Sequence, residues 1–342
     1  MTDRSALDDP TDSALTIGVD IGGTSIRAAV VDEQGRILDQ VRAQTPTTVR
    51  SLERCLDRVV FELASRRPVA GVGLAVAGFL TPDRQIVQFA PHLPWRDAAV
   101  AAEMTERIGM AVFCEHDANA AALAEYRFGA AARGHNTVVL AIGTGLGAGF
   151  LQDGSLYRGS FGVAPEVGHL LVVPNGRPCS CGKFGCWERY CSGTALVDTV
   201  VELVVDGAMD GSGPNRVSQL ARDIADDPGS VTGRRVAAAA NDGDPIALAA
   251  YADFARWLGL GLAMIGDIFD PDLIVLAGGV GAASGLYLDE AREHYAALVT
   301  GTGYRRLARI RATQLGESAG IIGAAETARM DLRQVPTAQL GG

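Results

Sequence analysis

The chain has 342 residues, a net charge of −10 and 48% hydrophobic residues, which is the composition of an ordinary globular protein. Its length predicts two domains, and its acidic charge argues against a nucleic-acid-binding surface, which needs clustered Lys and Arg. No apolar run approaches the ~20 residues that a membrane helix needs. The acidic residues 1–14 lack the apolar region of a signal peptide. We therefore expect a cytoplasmic protein with flexible tails at 1–14 and 331–342 and with neither nucleic-acid nor membrane partners.

The first half of the chain reads as strands followed by helices. Residues 16–45 predict three consecutive strands with turns at 22–23 and 33–35. Residues 50–66 carry apolar side chains at helical spacing, and a buried strand follows within 69–80. Residues 111–131 predict a strand, a turn and an alanine-rich helix. We assign these elements to a first domain at 15–130.

The second half repeats the opening pattern. Residues 137–159 again read as strand, glycine-rich turn, strand and turn. A long helix at 245–270 precedes a buried strand at 272–280, and a helix closes the chain from 317 to 330. Residues 205–235 read as a loop with short surface helices. The repeat predicts an α/β chain of two similar domains around a cleft, with the second domain at 131–316 and the closing helix packed on the first.

The turn Asp20-Ile21-Gly22-Gly23-Thr24 predicts a phosphate site. Its two glycines expose backbone N–H groups to an anion, and Thr24 adds a hydroxyl. Asp20 could hold Mg²⁺ through water. The alternative is an ordinary hairpin turn, in which Gly-Gly is common.

Two further glycine turns are candidates for nucleotide contacts. The first, Gly143-Thr144-Gly145, continues as strand rather than helix, which argues against a dinucleotide fingerprint and favours a second phosphate hairpin. The second, Gly278-Gly279, follows a buried strand, where small residues would let a base or ribose approach the backbone. A tight strand-to-helix turn is the alternative for this pair.

Asp117 lies at the carboxyl end of a strand, within Glu115-His116-Asp117-Ala118-Asn119. Ligands of open α/β sheets collect at this edge. The alternative is that Asp117 only caps the following helix.

A metal site is predicted from the spacing of His169, Cys179, Cys181 and Cys186, which suits one tetrahedral structural zinc. Glu166, His169 and Glu188 are interleaved with these ligands and could face a polar ligand. A disulfide framework is the competing interpretation of the six cysteines. It fits poorly, because a chain this long does not need disulfide bonds to be stable. Four of the cysteines also lie within thirteen residues, which suits a metal site better than disulfide bridges.

Two motifs in this region carry a family resemblance: Glu166-x-Gly168-His169 and Cys179-x-Cys181-Gly182-x-x-Gly185-Cys186-x-Glu188. With the Asp20–Thr24 turn upstream, the chain resembles the ROK family of sugar kinases over roughly residues 15–330. The resemblance implies an actin-like ATPase (ribonuclease H-like) fold of duplicated domains and a homo-oligomer, dimer or tetramer. Residues 77–79 and 89–96 are similar to glucokinases of the actinobacterial type. This implies phosphorylation of the 6-hydroxyl of glucose with ATP, Mg²⁺ and a structural Zn²⁺.

The resemblance also implies residue roles. Asp117 matches the catalytic base, and Gly278 and Gly279 match the adenosine loop. The phosphate loops correspond to Asp20, Gly22, Gly23 and Thr24 and to Gly143, Thr144 and Gly145. The sugar contacts correspond to Gly78, His116, Asp117, Glu166, His169 and Glu188.

His116 departs from the family, which usually has Asn at this position. An imidazole is bulkier than an amide, and it can charge near pH 6.5. The phosphoryl acceptor could therefore be another sugar, such as N-acetylmannosamine, fructose, mannose or allose. Polyphosphate is an alternative to ATP as the phosphoryl donor. A sugar sensor without turnover is a further alternative. A family repressor is disfavoured. Such a protein would carry a helix-turn-helix of ~60 residues before the kinase-like part, whereas here nineteen mostly acidic or polar residues precede Asp20.

Overall fold

The computed structural model describes residues 14–132, 134–210, 218–227, 229 and 231–334. Of the predicted tails, 1–14 and 331–342, residues 1–13 and 335–342 lie outside these residues. The prediction of a flexible tail was wrong for residues 331 and 332, which end the closing helix, where Leu332 is buried. The described chain divides into two compact units, one of residues 14–132, 149–165 and 317–334 and one of residues 134–148 and 166–316. Residues 149–165, which the sequence analysis placed in the second domain, thus group with the first unit.

The first unit is built on a five-stranded sheet. Its strands are β1 (Thr16–Ile21), β2 (Ser25–Val31), β3 (Ile37–Gln44), β4 (Val72–Val76) and β8 (Val112–His116). They lie in the order β3-β2-β1-β4-β8, with β1 antiparallel to β2 and parallel to β4, and β4 parallel to β8. A small antiparallel sheet, which the sequence did not predict, consists of β5 (Phe79–Leu80), β6 (Val87–Phe89) and β7 (Arg96–Ala98).

Four helices complete this unit. They are α1 (Val49–Arg66), α2 (Val100–Ile108), α3 (Asp117–Phe128) and α9 (Ala319–Leu332). The predicted apolar face of α1 is buried at Leu52, Leu56, Val59, Val60 and Leu63. The helical periodicity of this segment is therefore confirmed.

Helix α9 lies directly on the backbone of the sheet. A Cβ atom at Gly18 of β1 would lie 1.9 Å from the carbonyl oxygen of Ile321, and one at Gly73 of β4 would lie 1.8 Å from that of Ala324. The Thr16 hydroxyl donates to the Ala325 carbonyl at 2.9 Å. Both positions are glycine, so the strands meet the helix where neither has a side chain. Only glycine permits a backbone contact this close.

The second five-stranded sheet repeats the topology of the first. Its strands are β9 (Asn136–Ile142), β10 (Leu146–Gln152), β11 (Ser155–Tyr157), β12 (Leu273–Ala277) and β13 (Arg309–Ala312). Their order is β11-β10-β9-β12-β13, so in both sheets the third, second, first, fourth and fifth strands are neighbours. This confirms the duplicated α/β fold that the recurring hairpin predicted.

The helices of the second unit differ in part from the prediction. They are α4 (Gly193–Asp210), α5 (Gln219–Asp226), α6 (Gly233–Asn241), α7 (Pro245–Phe269) and α8 (Leu288–Leu298). For residues 205–235, which the sequence predicted as a loop with short surface helices, α5 is such a short helix. The prediction was wrong in two respects, since α4 runs on to Asp210 and α5 buries Leu220, Ala221 and Ile224. Residues 211–217 of that segment lie outside the described residues.

Helix α7 is long and apolar enough, by length and composition alone, to cross a membrane. The sequence analysis expected no such segment. More than half of the apolar window, 56%, is buried inside the protein, where α7 packs against α8 and α4. A buried core helix has the same composition, so this helix is weak evidence for a membrane span.

Candidate functional site

The carboxyl ends of β1, β4 and β8 bring three of the predicted groups to one edge of the first sheet. Ile21 is the register partner of Val76, and Val76 is the partner of His116. The turn Gly22–Thr24 follows the first strand, Gly78 follows the second and Asp117 follows the third. This edge is where open α/β sheets bind ligands.

Asp117 is the first residue of α3, and its side chain is 42% exposed. Its Oδ1 accepts from the backbone N–H of Ala118 at 2.7 Å and lies 3.4 Å from His116 Nε2. The capping position itself belongs to His116, whose side chain makes no capping hydrogen bond. Asp117 therefore presents a carboxylate to solvent at the carboxyl edge.

Asp20 is paired with a residue that the sequence analysis missed. Arg27 lies opposite Asp20 across the β1–β2 hairpin, and its Nη2 is 2.6 Å from Asp20 Oδ2. Burial raises the pKa of Asp20, Arg27 opposes this, and the charge of Asp117 raises it further. The charge of Asp117 thus acts on Asp20 at this edge. The hairpin register of a DxGGT turn could have indicated Arg27.

The first glycine turn is fixed from β3 and its tip is exposed. The Thr45 hydroxyl donates to the Gly22 carbonyl at 2.6 Å, and the Gly22 N–H donates to Ser25 O at 3.1 Å. Gly23 and Thr24 are exposed. Gly78, in contrast, is buried, and its N–H already donates to Val76 O at 3.0 Å.

In the second unit, the turn Gly143–Gly145 lies against Glu188. The Glu188 Oε2 accepts from the backbone N–H of Leu146 at 2.9 Å, and a Cβ atom at Gly145 would lie 2.3 Å from that oxygen. The Gly143 carbonyl accepts from Gly193 N–H at 2.7 Å, at the start of α4. The structure therefore brings a predicted phosphate loop and a predicted sugar ligand together.

The pair Gly278–Gly279 lies beside the same turn. Gly278 has a φ of 85°, and a Cβ atom there would lie 2.5 Å from the carbonyl oxygen of Ile142, the residue before Gly143. Glycine is required at this position by both its backbone conformation and the lack of space. At Gly279, in contrast, no atom lies within 4 Å of an added Cβ atom.

The four predicted zinc ligands converge. The ligand atoms of His169, Cys179, Cys181 and Cys186 all lie within 4.8 Å of one another. The Cys179 Sγ is 3.6 Å from His169 Nδ1, and the Cys181 and Cys186 sulfurs are also 3.6 Å apart. A tetrahedral zinc with bonds of about 2.0–2.3 Å would place its ligands at about these separations. The donor set and its geometry therefore fit a closed zinc site.

Glu166 and Glu188 lie close to this cluster. Glu166 Oε2 is 3.8 Å from His169 Nε2, the ring nitrogen opposite the one that faces the cysteines. Between Cys186 and Glu188, Trp187 is fully buried, and its Nε1 donates to the Trp257 carbonyl of α7 at 2.9 Å. The sequence analysis assigned no role to this tryptophan, which fixes the loop on the core of the unit.

The sequence matches the ROK family over residues 16–330. The chain belongs to the ROK family. A glucokinase of Streptomyces coelicolor is 39% identical over 315 residues, covering 92% of this ROK protein and 98% of the relative. The crystal structure of a ROK family glucokinase from Streptomyces griseus in complex with glucose and AMPPNP is also 39% identical, with a TM-score of 0.82. It covers 92% of this chain and 99% of that chain.

A more distant relative is a xylose repressor of Caldicellulosiruptor bescii, 27% identical over 291 residues, covering 82% of this chain and 70% of the repressor. The family and the actin-like fold predicted from the motifs are confirmed by these likenesses.

Proposed function

We propose that this ROK protein is an ATP-dependent glucokinase that phosphorylates the 6-hydroxyl of glucose. The observation that carries the proposal is the exposed carboxylate of Asp117, at the carboxyl edge of the sheet, in a chain similar to Streptomyces glucokinases over nearly its full length. The alternative use of Asp117 as a mere helix cap would not require this exposure at the ligand-binding edge.

In the proposed reaction Asp117 accepts the proton of the sugar 6-hydroxyl while that oxygen attacks the γ-phosphorus of ATP. The bond from the γ-phosphorus to the bridging oxygen of the β-phosphate breaks, and ADP leaves. Such a transfer depends mainly on positioning and on charge stabilisation. The proposed sugar ligands are Gly78, His116, Asp117, Glu166, His169 and Glu188. We propose that the phosphates bind at Gly22–Thr24 and Gly143–Gly145, and adenosine at Gly278–Gly279.

Mg²⁺ is the second proposed cofactor, and when bound it would neutralise charge on the β- and γ-phosphates. Asp20 supplies a carboxylate, the ligand type that Mg²⁺ prefers, and would hold the ion through water. Arg27 lies 2.6 Å from that carboxylate and would compete with the ion for it.

A structural Zn²⁺ is the third proposed cofactor, bound by His169, Cys179, Cys181 and Cys186. Burial and the neighbouring Cys181 and Cys179 thiols raise the pKa of Cys186 to about 12, so a thiolate at Cys186 needs a compensating cation. A metal on His169 Nδ1 would fix the ring so that Nε2 points toward Glu166 and the sugar.

For its surroundings we propose a cytoplasmic homo-oligomer, dimer or tetramer, that binds neither nucleic acid nor membrane. The net charge of −10 supports the absence of a nucleic-acid partner. Light scattering of the purified protein would give the oligomeric state.

The test is ADP release with Mg-ATP across a panel of hexoses, comparing the native protein, Asp117→Asn and the control Asp289→Asn, whose carboxylate is 95% exposed on α8. We expect turnover with glucose, a loss of about 10²–10⁴-fold in Asp117→Asn, and glucose binding that survives in both variants, measured by calorimetry.

Other outcomes of this assay separate the alternatives. Turnover with another hexose only would mean that His116 has changed the pocket, and turnover with polyphosphate would replace the donor. Glucose binding without turnover would place the protein among sugar sensors. Near-native turnover in Asp117→Asn would leave Asp117 as a cap.

A further inference from the structure

A buried ion-pair cluster lies beneath the junction of β8 and α3. Its centre is Glu115, whose side chain is 1% exposed. The Glu115 Oε2 accepts from Arg158 Nη2 at 2.6 Å and from Arg158 Nε at 3.1 Å, and Arg84 Nη1 lies 3.7 Å away. A buried carboxylate is thus held between two arginines. In the sequence, Glu115 stands out only as part of the motif around Asp117, and neither arginine stands out at all.

The second oxygen of Glu115 holds the residues on both sides of Asp117. Oε1 accepts from the backbone N–H of His116 at 3.0 Å and from the side-chain amide of Asn119 at 3.2 Å. Asn119 is itself buried, on the first turn of α3. The strand-to-helix turn that carries Asp117 is therefore fixed from both sides by one carboxylate.

The cluster is tied to distant parts of the same unit. Arg84 Nη2 donates to Asp331 Oδ1 of α9 at 3.0 Å. The Arg158 carbonyl accepts from Ala164 N–H at 3.1 Å, which closes the loop between these residues. Buried ion pairs often add little stability over apolar packing, because both charges lose their hydration. This buried cluster is therefore better explained by the specific position that it gives to the turn carrying Asp117.

We propose that Glu115 and Arg158 are positioning residues for the catalytic base. They set the orientation of Asp117 through the His116 backbone and the Asn119 amide, without touching substrate. This inference rests on the proposed role of Asp117. A displacement of about 1 Å at a reacting group can cost about 10²-fold in rate, so a small shift of the turn would suffice.

The first variant is Glu115→Gln, which keeps the size of the side chain but turns an amide donor toward the guanidinium of Arg158. We expect kcat for glucose phosphorylation to fall about 10- to 100-fold per active site, with the KM for ATP within about twofold of native. Active sites are counted by the stoichiometry of glucose binding in calorimetry, so that loss of folded protein does not count as loss of rate.

The matched control is Glu326→Gln. Glu326 of α9 is 2% exposed and is also held by two arginines, with Arg127 Nε at 3.0 Å and Arg329 beside it. Its hydrogen bonds go to these two arginines and, among the described residues, none goes to the turn. This variant should lose stability to a similar degree but keep native kcat per active site.

Arg158 gives a second, independent measurement in case Glu115→Gln does not fold. Arg158→Lys keeps a charged donor and should retain more of the native kcat than Arg158→Met. Native kcat in Glu115→Gln or in both Arg158 variants would overturn the proposal, as would an equal loss in Glu326→Gln. Absence of glucose turnover in the native protein would instead refute the proposed function itself.

Discussion

At the scale of single residues, His116 stands where the resemblance to the family predicts an Asn. Its Nε2 lies 3.4 Å from Asp117 Oδ1, and its side chain is 20% exposed at the proposed sugar edge. The donor and the acceptor of an amide lie side by side and can face one ligand together, whereas the two nitrogens of an imidazole point in different directions. A sugar with two hydroxyls at this position would lose one hydrogen bond.

We predict that His116→Asn lowers the KM for glucose by about 2- to 10-fold, the worth of one hydrogen bond, and changes kcat little. Steady-state kinetics with glucose and with mannose measure this. His116→Ala is the control, since it removes the imidazole without adding an amide and should raise KM. An unchanged KM in both variants would show that residue 116 does not face the sugar.

The site residues that could be predicted from the sequence are those that lie close together in the chain at a spacing typical of one function. Cys179, Cys181 and Cys186 lie within eight residues, and they converge with His169 as expected. Arg158 could not be found in this way, because its partner Glu115 is 43 residues away and the pairing depends on the folded sheet. The roles of Asp117 and of the sugar ligands stay predictions.

At the scale of elements, Asp244 connects two helices of the second unit. Its carboxylate accepts from the N–H of Ile246 at the start of α7, from the N–H of Leu220 in α5 and from the Ser218 hydroxyl. Burial raises the pKa of Asp244, but these hydrogen bonds outweigh it, and the pKa lies below the ordinary value of 3.8. The ionised form thus stabilises the folded unit.

We predict that Asp244→Ala lowers the free energy of unfolding by about 1–2 kcal/mol at pH 7. Because the folded pKa is depressed, this contribution is fully present well above 3.8 and is lost as the pH falls through the folded pKa. Urea unfolding from pH 7 down to about pH 2, which takes the pH below 3.8 and through the folded pKa, should show the two proteins converging on acidification. Asp289→Ala, at a carboxylate 95% exposed, should differ from native by less than about 0.5 kcal/mol. A constant difference at all pH values would contradict the role of the ionised carboxylate.

The cysteine loop gives a second prediction at this scale. Cys181→Ser should abolish stoichiometric zinc, measured by atomic emission, and should weaken glucose binding in calorimetry. The unit should stay folded, because Trp187 fixes the loop to α7 without the metal. Cys55→Ala, at a buried thiol of α1, is the control and should keep both zinc and glucose. A zinc-free variant with native glucose affinity would separate the metal from the sugar site.

Elements with a clear period were predictable, whereas those defined by their neighbours were not. Helix α1 shows its apolar face in the sequence, and α7 its length. Helix α4 contains five valines, which favour strands in isolation, and its packing against α7 decides the outcome. Strands β5, β6 and β7 have only two or three residues each, too few for an alternating pattern.

At the scale of the whole molecule, the duplicated sheets could be predicted because the opening hairpin recurs in the sequence. The grouping of residues 149–165 with the first unit could not, since it depends on contacts such as Arg158 with Glu115 that no local pattern records. The closing helix could be predicted from the sequence. Its packing against Gly18 and Gly73 could not, because a glycine in a strand has several possible causes.

We predict that Gly73→Ala destabilises the protein by about 3 kcal/mol or more, since a methyl group there would lie 1.8 Å from a backbone carbonyl of α9 that cannot turn aside. Urea unfolding measures the loss. Gly285→Ala is the control, because nothing lies within 4 Å of its added methyl group. Equal stability of the two variants would mean that α9 does not rest on β4.

The position of α9 also fixes an order of events during protein synthesis. Thr16 and Ala325 are hydrogen-bonded although they are 309 residues apart, so β1 leaves the ribosome long before the helix that covers it. At about 5–20 residues per second this interval lasts on the order of tens of seconds. Throughout it the first sheet has an uncovered face while the entire second unit is being made. A chain released before residue 317 would keep that face uncovered, and the cell could recognise it as incomplete.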